Sequence, residues 1–222
     1  MLFRSESLIT AQKLRALSSL SRGKMRHFKI ILTLFLFGIW VPVYSQPAER
    51  FVDDFRLQST EGQWISLSDY KNAKGFIIVF TCNHCPFAQL YTQRFNDLYT
   101  RYRPLGVHFI AVNSMDSLIY EDETMEIMKR KAQSEQFLFP YLQDPDQRIG
   151  KIFGADATPQ VFVVWIENGK YQIRYSGAID DNGEHPEVAH SYVKATLDSL
   201  FKGLEVEIFE TKSFGCRIHY RK

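Results

Sequence analysis

Five consecutive apolar residues, Phe76-Ile77-Ile78-Val79-Phe80, run directly into Thr81-Cys82-Asn83-His84-Cys85-Pro86, and an amphipathic stripe follows. A run apolar at every position has no solvent face, so it reads as a central strand covered on both sides. From His84 to Tyr102, Phe87, Leu90, Tyr91, Phe95, Leu98 and Tyr102 recur at three- and four-residue steps. That period predicts one long helix, closed by Pro104 and Gly106. The chain therefore places two cysteines, two residues apart, where a buried strand becomes a helix.

This position has chemical consequences. The first turn of a helix carries unpaired N–H groups and the positive end of the dipole. Both favour a thiolate and lower a thiol pKa from about 8.5. His84, when protonated, adds a second favourable charge. A stabilised thiolate attacks disulfides, and a neighbouring thiol resolves the mixed disulfide.

The rest of the body reads as alternating elements. Phe51 to Leu57 is an extended segment or strand, and Trp64 to Leu67 is a short strand after the Gly62 turn. Val107 to Asn113 is a second buried strand. Thr124 to Gln133 and Asp144-Pro145 to Phe153 are helical in pattern, the latter with Gly154 just past its end. Val161 to Ile166 and Tyr171 to Ser176 form a hairpin through Glu167-Asn168-Gly169. Pro186 and Gly203 frame a last helix, with Ala189, Val193, Leu197, Leu200 and Phe201 as its buried stripe. This order is that of a small α/β domain with a mixed sheet.

Residues 1–45 read separately. Ile30 to Val41 is an apolar run of 12 residues preceded by Arg26 and Lys29 and followed by Val43-Tyr44-Ser45. That is the layout of a secretory signal, and the run is short for a bilayer span of about 20 residues. Met25 opens a complete signal by itself. Cleavage would leave a periplasmic or secreted protein with no membrane insertion; an uncleaved anchor is the lesser alternative. The expected organisation is a leader over 1–45, a domain over 46–203 and a tail over 204–222. The leader holds seven bases and one acid. Of the chain's 27 bases and 25 acids, residues 46–222 keep 20 and 24, a net charge of −4. A mildly acidic body lacks the basic footprint of a nucleic-acid binder. Three cysteines are too few for a disulfide-stapled scaffold.

The strand–CxxC–helix order, together with Thr158-Pro159 ahead of a strand, resembles the thioredoxin superfamily. Within it, the resemblance is to the peroxiredoxin-like and extracytoplasmic thiol–disulfide branch, the redoxins with an AhpC/TSA-like domain. Phe80 to Phe87, Phe153-Gly154-Ala155 with Ala157-Thr158-Pro159, Arg174 to Asp181, and the ending Phe214-Gly215-Cys216-Arg217-Ile218 carry it. The resemblance implies a thioredoxin-like fold: a central mixed β-sheet flanked by helices, an N-terminal extension and an inserted helical segment. It implies a thiol–disulfide oxidoreductase that needs no cofactor, with Cys82 as exposed nucleophile and Cys85 as the more buried resolving thiol. Thr81, His84, Pro86, Thr158 and Pro159 would support the site. A cis-proline at 159 would expose backbone groups that pair with an extended substrate. Partners would be protein or small-molecule thiols and disulfides and a redox partner. Cys216 reads either as a free thiol on a tail or as a third redox thiol.

Departures from the family pattern matter. Thr81 stands where thioredoxins have Trp, and Phe76 where they have a buried acid. Aligning Cys85 with the peroxidatic cysteine of P-x-x-x-T-x-x-C puts Cys82 on the threonine and Ile78 on the proline. A thiol peroxidase is therefore an alternative with a defective motif, Arg174 being its offered thiolate-stabilising arginine. A metal-binding protein, holding zinc or copper, is another alternative, with Cys82, Cys85, Cys216 and His219 as a Cys3His set. A purely structural Cys82–Cys85 disulfide would close too short a loop to stabilise much. His108 reads as packed, His185 and His190 as solvent-facing, Glu121-Asp122-Glu123 as a solvated helix start, and Tyr91, Tyr99 and Tyr102 as core or half-core.

Overall fold

The computed structural model describes residues 49–222; the signal read at residues 30–45 lies outside the described residues. Among the described residues ten strands form, β1 (Arg50–Val52), β2 (Arg56–Ser59), β3 (Trp64–Ser66), β4 (Gly75–Phe80), β5 (Val107–Asn113), β6 (Tyr141–Gln143), β7 (Ala157–Thr158), β8 (Gln160–Glu167), β9 (Lys170–Gly177) and β10 (Cys216–Arg217). The α-helices are α1 (Pro86–Gln89), α2 (Thr92–Tyr102), α3 (Met125–Ser134), α4 (Arg148–Phe153) and α5 (Tyr192–Phe201). Eight strands make one sheet in the order β1-β9-β8-β4-β5-β6-β2-β3. β4 runs parallel to β5 and antiparallel to β8. This is the mixed sheet of a thioredoxin-like α/β fold, and α3 is the helix inserted between β5 and β6.

β4 sits at the centre because none of its six residues needs water. Phe76, Ile78 and Phe80 face one layer, with Ile110, Val112, Phe153 and Phe162. Ile77 and Val79 face the other, with Phe95, Phe109, Val161, Val163, Met128, Val193 and Leu197. The period of two along a strand thus assigns alternate residues to two cores. α4 covers the first layer, and α2, α3 and α5 cover the second.

Three expectations about elements are corrected. The segment 51–57 is two strands, not one: β1 pairs with β9 at one edge, and β2 pairs with β3 and β6 toward the other. The helix 84–102 is interrupted at Leu90-Tyr91. Tyr91 is fully buried and donates its hydroxyl to Asp180 Oδ1 at 2.8 Å, beside the Arg94–Asp180 ion pair at 2.7 Å. Anchoring Tyr91 there turns the chain between α1 and α2. It leaves Phe87 and Leu90, read as core, each 47% exposed. The last helix begins at Tyr192, not Pro186, so Ala189 lies outside it. Ser191 caps it by accepting from Lys194 N at 3.2 Å. Ser191→Ala should therefore cost about 1 kcal/mol, read as a lower denaturant midpoint at unchanged slope.

Candidate functional site

The site forms where β4 ends. Thr81 is buried and its N–H donates to Val112 O at 2.9 Å, which carries the sheet one residue past β4. The chain then turns, and Cys85 caps α1 with Pro86 at its first position. Pro86 is exposed and gives up no hydrogen bond there, since the first helical N–H has no partner. Across from this turn, Thr158-Pro159 joins β7 to β8 through a cis peptide bond.

Thr158 organises the sulfurs. Cys82 Sγ lies 3.1 Å from Thr158 Oγ1, and Cys85 Sγ lies 3.1 Å from Thr158 O. Thr158 Oγ1 also donates to Cys216 O at 3.3 Å. A hydroxyl has one proton, so Cys82 and the Cys216 carbonyl compete for it. Cys216 is present because β10 pairs antiparallel with β7, Cys216 opposite Thr158 and Arg217 opposite Ala157. The three cysteines are free thiols.

The exposed Cys82 nucleophile expected from the resemblance is corrected here. Cys82 and Cys85 are both 0% exposed, and the C-terminal segment pairs with Thr158 beside them. Their proton affinities also differ from expectation. Cys82 is pushed up, first because its thiol donates to Cys85 and then because burial disfavours its charge; the Glu123 carboxylate adds to this. At Cys85 the hydrogen bond from the Cys82 thiol favours a thiolate most, burial opposes it, and the Cys216 thiol and the N–H groups of Ala88 and Cys216 add to the first, so Cys85 is held down to about 4. Cys216 is pushed up to about 12 by burial, then by the neighbouring Cys85.

A titration should show this asymmetry. Thiolate absorbance of the reduced protein should persist well below neutrality and vanish near pH 4, and Cys85→Ser should remove that transition. A thiol depressed in the folded state stabilises the fold above its unfolded pKa, near 9, and that contribution declines as pH falls toward 4. Only ordinary transitions near pH 8.5 would contradict the assignment.

Glu123 is the site residue that the sequence reading missed. Read as a solvated helix start, it is 0% exposed. Its carboxylate accepts from Asn83 N at 3.0 Å to each oxygen, from His84 N at 3.1 Å and from Asn113 Nδ2 at 2.6 Å. His84 Nδ1 lies 2.5 Å from the same group, and the His84 ring stacks on Tyr120. His84 is thus committed to Glu123 rather than to a sulfur. Asn83 completes the turn, donating to Asp122 O at 2.7 Å and accepting from Tyr141 at 2.9 Å.

Other expectations resolve plainly. Arg174 pairs with Glu167 and Glu205 on the surface of the hairpin and is not the arginine of a thiolate pocket. Among the described residues, the metal-ligating atoms that converge within 4.8 Å belong to Cys82, His84 and Glu123. Cys216 and His219 do not complete the expected Cys3His set, and both Glu123 oxygens are already occupied by N–H donors. His108 packs against Tyr70 and Phe76, and burial lowers its pKa. His185 and His190 are exposed; Tyr91 and Tyr102 are buried and Tyr99 half-buried.

Similarity to known proteins agrees with this geometry. The chain is 25% identical over 146 residues to the thiol-disulfide oxidoreductase ResA of Bacillus cereus (strain ATCC 10987 / NRS 248), covering 62% of this chain and 80% of that protein. It resembles the structure of an uncharacterized conserved protein from Geobacillus kaustophilus at 30% identity and a TM-score of 0.71, over 79% of this chain and 93% of that one. A hypothetical protein of Sinorhizobium meliloti 1021 matches at 26% identity and a TM-score of 0.71, over 80% and 96% of the two chains. The AhpC/TSA family profile matches residues 48–183. Because that span runs from β1 through both motif cysteines and Thr158-Pro159 to the Asp180 anchor, the chain belongs to the AhpC/TSA family of the thioredoxin superfamily.

Proposed function

We propose that this protein is a thiol–disulfide oxidoreductase whose working pair is Cys82 and Cys85. The observation that carries this reading is the placement of both sulfurs on Thr158, at the end of the central strand and at the cap of a helix. Similarity to a protein named as a thiol-disulfide oxidoreductase supports it. In the reduced protein Cys85 is the better thiolate and makes the first attack. A bond forms between Cys85 Sγ and one client sulfur, and the other client sulfur leaves as a thiolate. Cys82 then attacks Cys85 Sγ, its proton passes to the departing client sulfur, and a Cys82–Cys85 disulfide remains. Two thiols are oxidised as one client disulfide is reduced; the reverse sequence oxidises a client.

The basic residues and the apolar run from Ile30 to Val41 support a location outside the cytoplasm, where disulfides persist. Clients are thus exported proteins or small disulfides, with a separate redox partner. The division into a leader over 1–45, a domain over 46–203 and a tail over 204–222 belongs to the same reading.

Equilibration of the protein with glutathione redox buffers tests it. Peptide mapping should find a Cys82–Cys85 disulfide whose fraction follows the buffer ratio. Thiols that stay reduced across all ratios would refute it. A thiol peroxidase is the second reading, favoured by a depressed thiol at Cys85, the position a peroxidatic cysteine would take. Fast peroxide consumption that needs Cys85 and survives Cys82→Ser would put it first.

A further inference from the structure

The C-terminal segment is fastened on both sides of Cys216. Before it, Ser176 N donates to Phe209 O and Thr211 N to Ser176 O, each at 3.0 Å. After it, Ile218 N donates to Asp156 O at 2.9 Å, the Ile218 side chain is 3% exposed, and Arg221 N donates to Gln147 Oε1 at 2.8 Å. Between these anchors, Phe214 packs on Phe87 and Tyr91, next to the motif. Gly215 takes φ +145°, and a Cβ there would overlap Thr158 O. Only glycine lets the strand approach that carbonyl. The segment is thus built to lie on Thr158 and to hold a sulfur beside Cys85.

We propose that β10 is a tethered substrate: it fills the edge of Thr158 that a client strand would pair with, and Cys216 forms a second disulfide with Cys85. This rests on the Cys82–Cys85 reading and adds a third carrier to it. In the oxidised protein, Cys216 Sγ attacks Cys85 Sγ. The Cys85–Cys216 bond forms and the Cys82–Cys85 bond breaks. Cys82 leaves as a thiolate and takes the proton that Cys216 gave up, so the oxidation state of the protein is unchanged. Two of the influences that raise Cys216, its hydrogen bond to Cys85 and the Cys85 charge, vanish once Cys85 is in a disulfide. The attack therefore becomes easier when it is needed. Transfer to Cys216 would also free the Thr158 edge only by moving β10, so clients and tail compete for one site.

Full-length Cys82→Ser treated with oxidised glutathione tests this. Cys85 should capture one glutathione half and release the other as a thiol. Cys216 should then displace the bound half, leaving a Cys85–Cys216 disulfide and two released glutathione thiols per chain. A glutathione that stays on Cys85 while Cys216 remains open to alkylation would overturn the proposal. Gly215→Ala with all three cysteines present is the second variant. It should lower the share of the Cys85–Cys216 peptide by roughly tenfold, through lost effective concentration; an unchanged share would equally overturn it. The Cys82–Cys85 peptide in wild-type digests reports the parent reading separately, so either can fail alone.

Discussion

Cys85→Ser is expected to lower disulfide exchange by on the order of a thousandfold or more, the scale seen when a nucleophile is removed from a concerted set. Cys85 is the sulfur on which the others converge: Cys82, Cys216 and two backbone N–H groups all act on it. A hydroxyl of nearly the same size keeps the cap of α1 and the contact with Thr158 O. It cannot attack a disulfide at neutral pH, and neither Cys82 nor Cys216 can close a bond to it. Cys82→Ser should behave differently. It keeps the depressed thiol, so a first capture of a client survives while turnover through Cys82 is lost. The measurement is reduction of a protein disulfide under multiple-turnover conditions, with single-turnover capture followed by mass spectrometry. Turnover by Cys85→Ser within tenfold of the parent would show that the chemistry lies elsewhere.

Much of this site could be read directly from the sequence, because its signals are local. Phe76 to Phe80 declare a strand with no wet face, and the next residues supply both thiols and a helix start. Thr158-Pro159 before a strand is an equally short signal. What stayed hidden depends on contacts between distant residues. Glu123 follows two other acids, and nothing in its neighbours marks it as buried. Its burial arises because β5 runs parallel to β4, so the connection leaving β5 passes over the end of β4. The N–H groups of Asn83 and His84 and the Asn113 amide then satisfy its oxygens. The choice between a free tail thiol and a third redox thiol at Cys216 stayed open for a related reason: pairing β10 with β7 joins residues 58 positions apart in the chain.

Phe87 and Leu90 teach the converse lesson. Their spacing fits a core-facing stripe, and periodicity alone assigns them to the interior. The turn at Tyr91 breaks that stripe and leaves them on the surface beside the sulfurs. Phe214, itself 37% exposed, packs edge-on against Phe87, so part of the broken stripe makes an apolar surface with the C-terminal segment. A periodic pattern records which residues can share a face; a side-chain anchor such as Tyr91 to Asp180 decides whether the face is continuous.

Glu123→Gln separates the structural from the electrostatic work of the buried acid. The carboxylate is acceptor-only and faces N–H donors from Asn83, His84 and Asn113 with both oxygens. A glutamine amide must turn its own NH2 toward one of these donors, leaving a buried pair of donors unsatisfied. Loss of one partner in such a network costs about 3 kcal/mol, or about 6–12 °C in Tm for a domain of this size. The charge has a second, opposite effect. Glu123 raises the proton affinity of Cys82, so its neutralisation should make Cys82 easier to ionise. The pH profile for closing the Cys82–Cys85 disulfide, measured in the folded variant below its melting range, should shift to lower pH. A purely structural carboxylate would give the melting loss with an unmoved profile. Asn113→Ala, which removes one donor and leaves the charge, should give that second pattern and fixes the comparison.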